Sequence, residues 1–83
     1  MENQVDIHFP LYRKYPNNKS YFKVLSVDAF EEVQVIGKNY VLSELKAKIL
    51  PERNLIHDII AAEGHWVEIE AEEFEKVKKI ALG

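Results

Sequence analysis

From Tyr21 to Ile49 apolar and polar residues alternate, and the run turns back at Gly37-Lys38-Asn39. A period of two sends successive side chains to opposite sides of an extended chain, so this stretch predicts β-structure with one buried face. Glycine and asparagine both tolerate positive φ, which suits the Gly37-Lys38-Asn39 step to a hairpin connection. Within the run, Phe22, Val24 and Ser26 share one face, opposite Tyr21, Lys23, Leu25 and Val27. Val33 and Val35 oppose Glu32 and Gln34. Val41, Ser43, Leu45, Ala47 and Ile49 oppose Tyr40, Leu42, Glu44, Lys46 and Lys48.

The flanks carry other signals. Val5 to Phe9 alternates and is stopped by Pro10, which cannot donate to a ladder, so a short edge strand is expected there. Leu11 to Ser20 reads as a loop, because Tyr15-Pro16-Asn17-Asn18-Lys19-Ser20 collects turn-forming residues. Beyond Pro51 the period changes. Leu55, Ile56, Ile59, Ile60 and Ala62 fall on one side of a helix over 54–63, with Asn54 as N-cap and Gly64 at its end. His65 to Ile69 alternates again as a short strand. Ala71 to Leu82 predicts a second helix, with Phe74, Val77 and Ala81 as its stripe. Glu72, Glu73 and Glu75 precede Lys76, Lys78 and Lys79 there, which suits the helix dipole and places Glu72–Lys76 and Glu75–Lys79 as neighbours.

Together these elements predict an α+β fold: a three- to four-stranded antiparallel sheet (a meander) with the two helices packed on one face. The expected core is Phe22, Val24, Val33, Val35, Val41, Leu45, Ile49, Ile56, Ile59, Ile60, Val67, Phe74 and Val77. Eighty-three residues suffice for a single small domain over 1–83, one in which a partner subunit often supplies part of the stability. The chain has no cysteine, which excludes disulfides and thiolate metal sites. No apolar run approaches the roughly 20 residues of a membrane span. The opening Met1-Glu2-Asn3-Gln4-Val5-Asp6 lacks the basic and apolar regions of a secretory signal, so a cytoplasmic location is expected.

Tyr12, Arg13, Lys14, Tyr15, Lys19, Tyr21 and Lys23 interleave rings with cations, with Phe22 among them, as single-stranded nucleic-acid platforms do. The chain's net charge of −3 argues against a dedicated nucleic-acid binder. His57, Asp58, Glu63 and His65 match no standard metal spacing. Ser26 or Ser43 with His57 and Asp58 lacks a glycine-flanked elbow. Gly37, Gly64 and Gly83 are too scattered for a phosphate cradle. Trp66 reads as a core anchor closing the sheet on a helix, with an exposed interface hot spot as the alternative.

The function expected from these residues is a small non-catalytic, intracellular protein-interaction or regulatory module, homo-oligomeric, with no cofactor and no membrane attachment. Its candidate self-association patch is Leu25, Val27, Ile36 and Leu42, apolar groups on nominally wet strand faces. Its candidate partners are a second copy or another protein. The alternative is single-stranded nucleic-acid binding through Tyr12–Lys23.

Overall fold

Hairpin chemistry sets the topology. In a computed structural model describing residues 8–48, 50–61 and 66–83, strands β1 (Leu11–Lys14), β2 (Ser20–Ser26), β3 (Ala29–Ile36) and β4 (Asn39–Lys46) follow one another as an antiparallel meander. The β1–β2 loop holds Asn18 at φ 62°, and the Asn17 side-chain oxygen accepts the Lys19 amide at 2.9 Å, an Asx-type turn. At the β2–β3 turn the Asp28 amide donates to Ser26 Oγ (3.3 Å), and the register shifts between Val24 and Ser26 as in a β-bulge. Gly37 has φ +61° at the first central position of the β3–β4 turn, the place a type II′ hairpin reserves for glycine.

Helix α1 (Leu50–Ala61) then carries the chain back to the far edge, where β5 (Val67–Glu68) pairs antiparallel with β1. Helix α2 (Ala71–Leu82) closes the fold and ends at Gly83, whose amide bonds the Ile80 carbonyl. The described residues thus form a five-stranded sheet in the order β4-β3-β2-β1-β5. The α+β class and the antiparallel meander are those read from the sequence.

Several details depart from that reading. The sheet has five strands, since Leu11–Lys14 pairs with both Val24–Tyr21 and Glu68–Val67 instead of looping. The helices lie on opposite faces. Phe22, Val24, Phe30 and Ala47 pack with Ile56 and Ile59 of α1, whereas Tyr21 and Val33 pack with Phe74 and Val77 of α2. The register explains the division: Phe22 pairs with Glu32 and Tyr21 with Val33, so Phe22 and Val33 cannot share a face.

Of the expected core, Phe22, Val24, Val33, Ile56, Ile59, Phe74 and Val77 are buried, while Val41 and Val67 are exposed. Tyr21, Phe30 and Ala47, outside the expected core, are buried as well. Helix α1 starts at Leu50, before the expected Asn54 cap, with Pro51 in its first turn, where a missing amide hydrogen leaves no helical bond unmade. The expected strand from Val5 begins outside the described residues, as do Ile49, Glu63, Gly64 and His65.

Candidate functional site

The basic aromatic segment is divided between the two faces. Alternation along β1 and β2 sends Tyr12, Lys14, Tyr21 and Lys23 toward α2 and Arg13 toward α1. Tyr21 is buried, and Tyr12 lies tilted against Phe74 with ring centroids 5.9 Å apart. Tyr15 belongs to the other side, stacked on Trp66 at 4.7 Å and edge-on to Phe22 at 5.7 Å. Trp66 also meets Phe22 edge-on, so it serves as the expected anchor closing the sheet over α1. Lys19 lies in the exposed β1–β2 turn. The rings that would stack on bases are therefore part of the packing.

The cations have partners too. Among the described residues, three ion pairs tie α2 to the sheet: Lys14–Glu73 at 2.7 Å on β1, Lys23–Glu75 at 3.5 Å on β2, and Lys78–Glu31 at 2.9 Å on β3. As the helix advances from Glu73 to Lys78, its contacts step from one strand to the next. The helix crosses the sheet diagonally and contacts β4 more than any other strand. The hydrogen bond to Glu31 raises the Lys78 pKa above its ordinary value; burial opposes this, and the charges of Glu31, Glu75 and Glu44 reinforce it. Arg13 donates from one terminal nitrogen to the Tyr12 carbonyl (2.9 Å) and from the other to the Ile60 carbonyl (3.5 Å), while its Nε meets no acceptor among the described residues.

The expected self-association patch does not come together. Leu25 and Val27, 42% and 56% exposed, sit at the β2–β3 turn, whereas Ile36, 55% exposed, sits at the opposite end of β3. The eight residues of β3 separate them by roughly 24 Å at strand rise. Leu42 is half-buried against the α2 cluster. Ser43 is exposed on β4, and no three metal-ligating side chains gather among the described residues.

An unforeseen feature is the outer edge of β4. Ile36 and Asn39 close a two-residue hairpin, and the Ala47 amide bonds the Asp28 carbonyl at 2.6 Å. Both facts aim the odd-numbered amides of β4 inward at β3. Alternation then aims the amides and carbonyls of Tyr40, Leu42, Glu44 and Lys46 outward, where no strand among the described residues pairs with them. Val41, 42% exposed, lies beside that edge on the α1 side of the sheet.

No protein-family model, no curated protein and no solved structure matches this chain. No helix among the described residues is long and apolar enough to cross a membrane.

Proposed function

We propose that the protein is a small non-catalytic intracellular interaction module that joins another polypeptide through the open edge of β4. The observation that carries this is the outward row of backbone donors and acceptors at Tyr40, Leu42, Glu44 and Lys46, bordered by exposed Val41 and Ile36. An eight-residue edge is long for an exposed strand, and such an edge accepts another extended chain by adding it to the sheet. Main-chain bonds supply the attachment and alternate side chains the selectivity. Glu44 and Lys46 on the edge restrain indiscriminate aggregation, as charged edge residues do.

The test is an NMR titration with extended peptides of alternating apolar and polar residues, on wild type and on Glu44→Pro. The Glu44 amide points away from β3, so proline there spares the β3–β4 ladder while blocking the outer edge. Shifts confined to residues 39–46 that disappear in Glu44→Pro support the reading. Shifts elsewhere on the surface, unaffected by Glu44→Pro, overturn it.

A further inference from the structure

We infer that the occupant of the β4 edge is a second copy of this chain, paired antiparallel about a twofold axis passing beside Ser43. This rests on the edge reading above and names its partner. An isologous contact needs a surface complementary to itself. Antiparallel pairing through the outward groups allows only registers in which even-numbered residues face even-numbered residues.

Few such registers remain once charge and overlap are considered. Centring on Glu44 opposes Glu44 to its own copy, and centring on Leu42 opposes Lys38 to Lys46; directly opposed like charges are destabilising. Centring on Leu45 gives Glu44–Lys46 pairs and centring on Val41 gives Tyr40–Leu42 pairs, but each engages only two hydrogen-bonded pairs of strand residues. Centring on Ser43 engages nearly the whole strand. It faces Tyr40 with Lys46 and Leu42 with Glu44 on the α2 side, and Val41 with Leu45 on the α1 side. No like charges are directly opposed within the strand, and exposed Val41 gains an apolar neighbour. Four hydrogen-bonded residue pairs at about two bonds each give about eight new main-chain bonds. The diagonal of α2 carries its last turn, with Ile80 and Leu82 exposed, to the same side of the sheet as the edge.

The register is directly testable because the chain has no cysteine. Ser43 would face its copy in a non-hydrogen-bonded pair, with Cα atoms about 4.5 Å apart, inside the roughly 4.4–6.8 Å range of disulfides. Sedimentation of the wild type should show a dimer, lost in Glu44→Pro. Mild oxidation should cross-link Ser43→Cys into a covalent dimer but leave Leu42→Cys monomeric on denaturing gels. Cross-linking of Leu42→Cys instead would overturn the register. A wild type that stays monomeric at millimolar concentration with rapidly exchanging Tyr40, Leu42, Glu44 and Lys46 amides would overturn self-pairing, and the peptide titration would then decide the edge reading alone. A monomer whose edge amides are protected only while residues 1–7 are present would make that segment the occupant and overturn the second copy. A dimer that persists in Glu44→Pro and leaves those amides unprotected would overturn both.

Discussion

Lys78 on α2 donates from Nζ to Glu31 Oε1 of β3 at 2.9 Å, anchoring the helix to a carboxylate that is itself buried. Removing the lysine strands that carboxylate, and hydrogen bonds to charged groups contribute about 1.5–3 kcal/mol. Lys78→Met should lower unfolding stability in urea by about that amount, whereas the double change Lys78→Met with Glu31→Gln should recover part of the loss. Equal losses in the single and double variants would show that the pair does not hold the helix.

The same bond gives stability a defined alkaline dependence. The Lys78 pKa is raised on folding, so the folded state binds its proton more tightly than the unfolded state. This contribution is fully present below the unfolded lysine value of about 10.4, and it fades as pH climbs through the higher folded value. Wild type should lose more stability than Lys78→Met between neutral pH and the region above about 10.4. Parallel curves for the two proteins would contradict this assignment.

Phe74 is fully buried at the centre of the α2 cluster. Phe74→Ala should cost about 3–5 kcal/mol, a large share of the about 5–15 kcal/mol that keeps a domain folded. Phe74→Leu, a smaller loss of volume, should stay folded with a reduced melting temperature. Calorimetry on the two variants separates these outcomes.

Lys14 and Lys23 test the division of the basic segment. Both are engaged by α2 carboxylates, so Lys14→Ala or Lys23→Ala should change stability by at most about 1 kcal/mol. Filter binding to single-stranded oligonucleotides at low salt should show no affinity for either variant to reduce. Wild-type affinity that falls steeply with added salt, and that Lys14→Ala weakens, would restore the nucleic-acid alternative.

Gly37 needs its positive φ, but no atom of the described residues lies within 4 Å of an added Cβ. Gly37→Ala should therefore cost only backbone strain, about 1–3 kcal/mol, with the sheet intact by circular dichroism. Loss of the sheet would mean that the turn does more than connect two strands.

Much of this fold was legible because Phe22, Val24, Val33, Phe74 and Val77 obey clean periods. The second covered face was not, because it is disguised as a wet one. Lys14, Lys23 and Glu31 look solvated in a binary pattern, yet α2 brings Glu73, Glu75 and Lys78 to meet them, and their stems lie over the packed surface. Tyr21 and Leu42 on the supposedly polar side were the clue, since the Phe74–Val77 stripe of α2 needed a dry surface of its own. Leu11–Lys14 escaped notice because its residues are all half-buried, which gives no alternation to read. The β4 edge was invisible to pattern alone, since whether a strand is central or terminal depends on neighbours distant in sequence.

Because Tyr21 belongs to one cluster and Phe22, the next residue, to the other, a single ribbon is the party wall of both cores. A slip of β2 by one position would evict both aromatics at once, placing each where the opposite helix waits. Neither half can therefore melt alone, and heating should reveal one sharp transition in which the α1 and α2 sides dissolve together.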